Sequence, residues 1–182
     1  MKKLINLAFL FLLWSNPSYS DEKIINSLKE GGKLIFIRHA IAPGNGDPED
    51  FKIDDCSTQR NLNQSGIDQS KIIGLFFNEN KLKIDKVLSS EWCRCKDTAE
   101  IAFKSFKTFK PLNSFYDPRF AYNEKKQIKD LKQFIKKWNS DKNVVFVTHY
   151  VVILSLLNIG VSSGEIVVVD KDLNVIGRVE TF

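Results

Sequence analysis

The chain contains two histidines, and each follows a run of apolar residues that favour β-structure. The first run is Leu34–Arg38, followed by His39, and the second covers residues 144–148, followed by His149. Such runs are typical of buried strands in a mainly parallel sheet, where ligands bind beyond the carboxyl ends of the strands. We therefore predict that both imidazoles lie at one catalytic edge. A neutral imidazole can attack phosphorus and carry a phosphoryl group.

Two arginines are placed to bind an anion beside these histidines. Arg38 directly precedes His39, and Arg94 lies where a predicted strand turns into a helix. A cation in the first turn of a helix opposes the helix dipole, and a bound anion would remove that conflict. Taken alone, Arg38 could be an ordinary strand-end residue and Arg94 could pair with Glu91 or Asp97. Taken together, the two guanidinium groups and two imidazoles predict a phosphate site.

Strands and helices that could position these residues alternate along the chain. The predicted strands are 33–38, 86–88, 111–115, 143–148, 165–169 and 175–179, and the predicted helices are 21–28, about 66–77, 92–103, 124–138 and 151–157. This alternation predicts a single α/β domain, a three-layer sandwich with a mainly parallel central sheet.

The first twenty residues have the layout of a secretory signal peptide. Lys2 and Lys3 give a basic start, residues 4–14 are mainly apolar, and small residues precede a cleavage point after Ser20. A membrane anchor is the alternative, but the apolar stretch is shorter than the ~20 residues that span a bilayer. We expect a mature domain over residues 21–182, periplasmic or secreted, without stable membrane insertion after cleavage.

The charge of the chain does not indicate a nucleic-acid partner. The formal net charge is +5 at pH 7, and the basic residues are scattered along the sequence. We interpret them as solvated helix faces, and we expect no nucleic-acid partner. A mildly positive field would still attract an anionic substrate.

Three cysteines, Cys56, Cys93 and Cys95, bear on disulfide and metal chemistry. In an exported protein they permit one disulfide and leave one thiol. Cys93 and Cys95 are too close to bridge within a regular helix, so Cys56 should pair with one of them. We favour Cys93, which we expect to be more exposed, and three unpaired cysteines are the alternative. The Cys-x-Cys spacing is too tight for common zinc sites, so we expect no metal and no cofactor.

Between about residues 34 and 157, the chain resembles the histidine phosphatase superfamily, which has the phosphoglycerate mutase-like fold. The resemblance rests on motifs that occur in family order. Arg38-His39-Ala40 resembles the Arg-His-Gly nucleophile motif, and Asn45 follows where the family often has an Asn that contacts phosphate. Residues 62–66 with Gln69 resemble a Leu-Thr-x-x-Gly-x-x-Gln helix start. Residues 89–99 resemble a Ser-Ser-x-x-x-Arg-x-x-x-Thr-Ala block, and residues 147–149 resemble the strand that carries the second histidine.

The resemblance implies roles for the predicted phosphate site. His39 would be the phosphorylated nucleophile, while Arg38, Arg94 and His149 would bind and neutralise the phosphoryl group. Asn45 would contact the phosphate. No cofactor is implied.

The general acid is less clearly marked. Many family members place an acidic residue after the second arginine, and Asp117 is the best-placed candidate here, with Glu124 a weaker one. A turn before Pro118 is the alternative interpretation of Asp117. Substrates with good leaving groups need no strong acid.

Other residues bear on the choice of substrate. Arg60 lies in a loop over residues 40–61 that should border the pocket, and it could bind a second anionic group of the substrate. Bracing of the loop through Asp54 or Asp55 is the alternative role of Arg60. Ile41 stands where mutases commonly have Glu, which disfavours a phosphomutase.

These observations predict an exported, metal-independent histidine phosphatase that hydrolyses phosphomonoesters through a phosphohistidine. Its substrate could be a phosphorylated small molecule, an envelope glycan or a phosphoprotein. The alternatives are a phosphoanion-binding pseudo-enzyme that retains the site without turnover and, less favoured, a phosphomutase.

Overall fold

The computed structural model describes residues 19–182, and the first eighteen residues of the predicted signal peptide lie outside the described part. The helices are α1 (Tyr19–Glu30), α2 (Gln64–Glu79), α3 (Cys93–Phe103), α4 (Glu124–Lys137) and α5 (Tyr150–Leu157). The strands are β1 (Leu34–Arg38), β2 (Ile84–Ser89), β3 (Lys107–Thr108), β4 (Asn143–Thr148), β5 (Ile166–Val169) and β6 (Val175–Val179). Within residues 19–182, no helix is long and apolar enough to cross a bilayer.

The six strands form one sheet in the order β3-β2-β4-β1-β5-β6. The first four strands in this order are parallel, and β5 and β6 add an antiparallel edge. The predicted α/β class with a mainly parallel central sheet is therefore confirmed. The long apolar runs arise because the central strands are covered on both faces.

Alternating side chains of the central strands enter two separate cores. Phe36 and Phe146 stack with their ring centroids 4.7 Å apart and pack on the side of α4 and α5. Ile35 and Val145 point to the opposite face, which is covered by α1, α2 and α3. This alternation gives the three predicted layers and holds the ends of the central strands rigidly.

The parallel register brings the two histidines together. Arg38 pairs with Thr148 across β1 and β4, so that the next residues, His39 and His149, leave the sheet side by side. The backbone N–H of His39 donates to the carbonyl oxygen of Thr148 at 2.9 Å. The end of β2 joins the same edge through a 3.0 Å hydrogen bond from the Ser90 N–H to the Val147 carbonyl.

One local prediction was wrong. Residues 111–115 do not form a strand, since a 3-10 helix covers Lys110–Leu112. Pro111 has no N–H for a sheet ladder and suits the first turn of a helix.

The packed face of α2 is not purely apolar, and Ile72 and Leu75 of this helix are exposed. Its buried residues include Gly66 and Gly74. A Cβ atom at Gly74 would lie 2.7 Å from the Ala102 carbonyl oxygen, so close helix contact requires glycine there.

Candidate active site

A cavity of about 200 Å³ lies beyond the carboxyl ends of β1, β2 and β4. Its lining includes all seven predicted site residues, namely Arg38, His39, Asn45, Arg60, Arg94, Asp117 and His149. The other lining residues come largely from the two loops that cover the edge of the sheet, and they are Gly44, Gly46, Asp47, Phe51, Trp92, Ser114, Tyr116, Tyr150 and Val151. A larger groove beside α2, α3 and β3 contains none of the predicted site residues.

The two imidazole rings face each other edge to face inside this cavity. Their centroids are 5.5 Å apart, and each histidine is 3% exposed. The Nδ1 atom of His39 lies 2.8 Å from the Ala40 carbonyl oxygen. Because a carbonyl can only accept, Nδ1 carries the proton, and the Nε2 lone pair of a neutral ring is left free for attack.

Both histidines are held in the neutral form. Burial is the main cause that lowers the pKa of His39 well below its usual value, and the Arg94 guanidinium lowers it further. The same two causes, in the same order, lower the pKa of His149. His149 also has its Nε2 atom 2.8 Å from the Ser90 hydroxyl, which fixes the orientation of the ring. A neutral ring at position 39 is the form that a nucleophile needs.

The two predicted phosphate-binding arginines keep some donors free. Arg38 donates from Nη1 to the Val161 carbonyl oxygen at 2.9 Å, and Arg94 donates from Nη1 to Asp47 Oδ1 at 2.8 Å. The Nε atoms of both arginines are buried and have no hydrogen-bond partner among the described residues. Buried donors are rarely left unpaired without a functional reason. The two guanidinium groups are thus only partly satisfied by protein atoms.

Sequence reasoning missed Asp47, whose carboxylate is almost completely buried. Besides Arg94, it accepts hydrogen bonds from the Arg60 backbone N–H at 3.0 Å and from Trp92 Nε1 at 3.0 Å. No periodicity marks the turn Gly46-Asp47-Pro48, and all three partners are distant in the chain. Only its position in a Gly- and Pro-rich loop near the first motif could have drawn attention to it.

Arg60 lines the cavity and also braces its loop. Its Nε donates to the Gly46 carbonyl oxygen at 2.7 Å, and its Nη1 donates to the Ala42 carbonyl oxygen. Burial lowers the pKa of Arg60, followed by the effect of Arg94. The bracing alternative is thus present, but it acts through backbone carbonyls and not through Asp54 or Asp55. Asn45 is exposed at the cavity wall.

The surroundings of Asp117 oppose its predicted role as general acid. Its carboxylate accepts from the Arg119 N–H at 2.8 Å and from Arg119 Nη2 at 2.7 Å. These hydrogen bonds lower the pKa of Asp117, so the group has no proton to give at neutral pH. The backbone carbonyl of Asp117 accepts from the Phe120 N–H at 2.8 Å. This hydrogen bond closes the turn before Pro118 that was the alternative interpretation of Asp117. Glu124 accepts from the Ser155 hydroxyl and is not part of the cavity wall.

The disulfide joins Cys56 and Cys93, as favoured from the sequence. The reason given for that choice was wrong, because Cys93 and Cys95 are equally buried. The pairing follows from the loop over residues 40–61, which crosses the N-terminus of α3. Cys95 is free, with its Sγ 3.5 Å from His149 Nε2, and burial raises the pKa of its thiol to about 12. Among residues 19–182, no cluster of three or more His, Cys, Asp or Glu side chains could hold a metal ion.

Known proteins match this chain in structure. No family model and no curated protein matches the sequence. The protein histidine phosphatase SixA, complexed with tungstate, matches with a TM-score of 0.59 and 16% identity, over 82% of this chain and 97% of that one. A phosphoglycerate mutase from Thermus thermophilus matches with a TM-score of 0.58 and 18% sequence identity, over 81% of this chain and 98% of that one. The product of the open reading frame Rv3214 from Mycobacterium tuberculosis matches with a TM-score of 0.55 and 15% sequence identity, over 75% of this chain and 89% of that one. The chain therefore has the phosphoglycerate mutase-like α/β fold that its motifs predicted.

Proposed function

We propose that the protein is an exported, metal-independent phosphatase that hydrolyses phosphomonoesters through a phosphohistidine at His39. One observation carries this proposal: two neutral imidazoles and two partly unsatisfied guanidinium groups meet in a single cavity at the edge of the sheet. Such an arrangement can offer a nucleophile and several hydrogen-bond donors to one tetrahedral anion.

The first step forms a bond between His39 Nε2 and phosphorus. The bond from phosphorus to the leaving oxygen breaks, and its electron pair leaves with that oxygen. The imidazole gains positive charge, which the Ala40 carbonyl stabilises through the hydrogen bond from Nδ1. Arg38, Arg94 and His149 are placed to offset the charge on the equatorial oxygens.

In the second step, water attacks phosphorus and the bond from phosphorus to Nε2 breaks. The attacking water gives its proton to bulk solvent, the product is inorganic phosphate, and the electron pair of the broken bond returns to Nε2, which leaves His39 as a neutral ring. The low pKa of His39 favours this return, because the buried ring is disfavoured as a cation.

The ionised state of Asp117 bears on the choice of substrate. Without a proton from this carboxyl, the leaving group must be stable as an anion or be protonated by water. We therefore propose that the substrate is a phosphorylated small molecule, an envelope glycan or a phosphoprotein, and that esters with good leaving groups are hydrolysed fastest.

The lack of a proton on Asp117 also favours a second candidate, a phosphoanion-binding pseudo-enzyme. Such a protein would keep the anion site around His39 and Arg94 but release no product. A phosphomutase is a third and less favoured candidate, because Ile41 occupies the position of the glutamate that is common in mutases.

Hydrolysis of p-nitrophenyl phosphate by the purified protein separates these candidates. We expect steady release of p-nitrophenol in excess EDTA, with an acid-labile, alkali-stable phosphoryl group on His39 in quenched samples. Phosphate binding without turnover would identify the pseudo-enzyme. Loss of activity in EDTA would contradict metal independence.

A further inference from the structure

Asp47 is a negative charge inside a cavity that is otherwise suited to anions. Its side chain is 6% exposed, and that of its ion-pair partner Arg94 is 4% exposed. A buried carboxylate is costly unless charges and hydrogen bonds compensate for the lost water. Here three donors, one each from Arg60, Trp92 and Arg94, surround its two oxygens. The site thus holds Asp47 firmly against the guanidinium group that should bind phosphate.

Asp85 makes a similar set of contacts, with an indole N–H and a cation, at a place outside the cavity. Asp85 accepts from Trp138 Nε1 at 2.9 Å and lies 3.4 Å from Lys86 Nζ. Its side chain is 29% exposed, and it contributes nothing to the cavity. Asp47 has the same combination of indole and cation, but its cation is a predicted phosphate ligand.

The charges around the cavity give Asp47 a second effect. Arg38, Arg60 and Arg94 bring three positive charges, and both histidine rings are neutral. Asp117 is neutralised by Arg119. Asp47 therefore leaves a net charge of +2, which matches a phosphate dianion. Without it the charge would be +3, and the product phosphate would be held more tightly.

We infer that Asp47 is a positioning residue that orients Arg94 and limits the affinity of the site for phosphate, so that the product can leave. This inference rests on the proposed phosphatase function. Asp47 Oδ1 anchors Nη1 of Arg94 and leaves the other nitrogens of the guanidinium group to the incoming anion. The carboxylate also repels that anion and so opposes strong product binding.

The variants Asp47→Asn and Asp47→Ala separate the two effects. Asp47→Asn keeps an acceptor for Arg94 but removes the charge, so the inhibition constant for inorganic phosphate should fall by at least roughly tenfold, because the dianion no longer meets a like charge in the cavity. Asp47→Ala also removes the anchor, so its kcat should fall at least about tenfold below that of Asp47→Asn. Asp85→Asn, which makes the same charge change outside the cavity, should leave both constants unchanged.

An unchanged or weaker phosphate affinity in folded Asp47→Asn would overturn the inference and would leave Asp47 as a loop brace. Equal kcat values for the Asn and Ala variants would overturn the positioning role. Should Asp47→Asn fail to fold, Asp47→Ser makes the same charge change with a smaller side chain and is expected to shift phosphate affinity in the same direction. Failure of the proposed function would look different, because the wild-type protein itself would then release no phosphate.

Discussion

The cavity has two walls that are built in different ways. The strand-end wall consists of Arg38, His39 and His149, which end or directly follow β1 and β4. Its backbone is fixed by the sheet itself, as in the 2.9 Å hydrogen bond from the His39 N–H to Thr148. The loop wall consists of residues 44–60 and 114–117, and it depends on side-chain braces and on one disulfide.

The different construction of the two walls suits them to different tasks. Attack on phosphorus needs reacting atoms held within a fraction of an ångström, which a sheet ladder provides better than a loop. The loop wall instead sets the charge of the site and the space above it. Substitutions in the strand-end wall should therefore act mainly on turnover, and substitutions in the loop wall mainly on affinity and stability.

The largest effect is expected from His39→Ala in the strand-end wall. Loss of the nucleophile should lower kcat for p-nitrophenyl phosphate by at least about 10⁴-fold, because water must then attack directly. Thermal unfolding of the variant serves as the control for folding. More than about one percent residual activity in a folded variant would show that another group attacks phosphorus.

In the loop wall, Cys56→Ser should act first on stability. The disulfide joins residues 37 positions apart, and closing a loop of that length contributes roughly 3–4 kcal/mol to the free energy of unfolding. Denaturant unfolding of the oxidised wild type and the variant measures the difference. The matched control is Cys95→Ala, which removes a thiol without opening a bridge. Equal stability of wild type and Cys56→Ser would mean that hydrogen bonds alone fix the loop.

Acid should destabilise the strand-end wall before it affects the loop wall. The folded-state pKa values of His39 and His149 are lowered, so the unfolded chain binds more protons once the pH falls below about 6.5. The free energy of unfolding should then decrease with falling pH, by up to about 2.7 kcal/mol per pH unit for two histidines, until the folded-state pKa values are reached.

The loop-wall carboxylate Asp117 has a lowered pKa as well, but its contribution is present above about pH 4 and is lost only below it. Denaturant unfolding between pH 7 and pH 3 measures both windows. His149→Gln should reduce the slope between pH 6.5 and pH 5. A flat profile in that range would contradict the neutral, buried state of the histidines.

The smallest effect is expected from Asp117→Asn in the loop wall. Because Arg119 already holds this carboxylate ionised, kcat for p-nitrophenyl phosphate should change by less than about threefold. The decisive comparison uses phosphate esters with increasingly basic leaving groups. A loss of activity that grows with the pKa of the leaving group would restore Asp117 as the general acid.

The two walls also differ in how well the sequence predicts them. The apolar run before His149 gives β4 its observed bounds, and parallel pairing then places His149 beside His39. Both steps use periodicity and strand pairing, which can be recognised in a sequence. Arg94 can be recognised for a similar reason, since it opens a helix directly after a strand.

The loop wall could not be predicted in the same way. The partners of Asp47 lie 13, 45 and 47 positions away, and each contact depends on a side-chain conformation that has no period. Asp117 is suggested only by its position after the second arginine, whereas its ionised state depends on a bidentate contact with Arg119 two residues later. The contacts of loop side chains thus depend on conformations that the sequence does not mark, whereas the placement of residues at strand ends follows from strand pairing.

A crystal structure of the protein with bound tungstate, a tetrahedral oxyanion, shows whether the histidines and arginines of the cavity bind one phosphoryl group together. We expect one tungstate in the cavity, with His39 Nε2 facing the metal atom and with Arg38, Arg94 and His149 donating to its oxygens at about 2.7–3.2 Å. Tungstate bound elsewhere, or a guanidinium group of Arg38 or Arg94 turned away from the anion, would contradict this expectation.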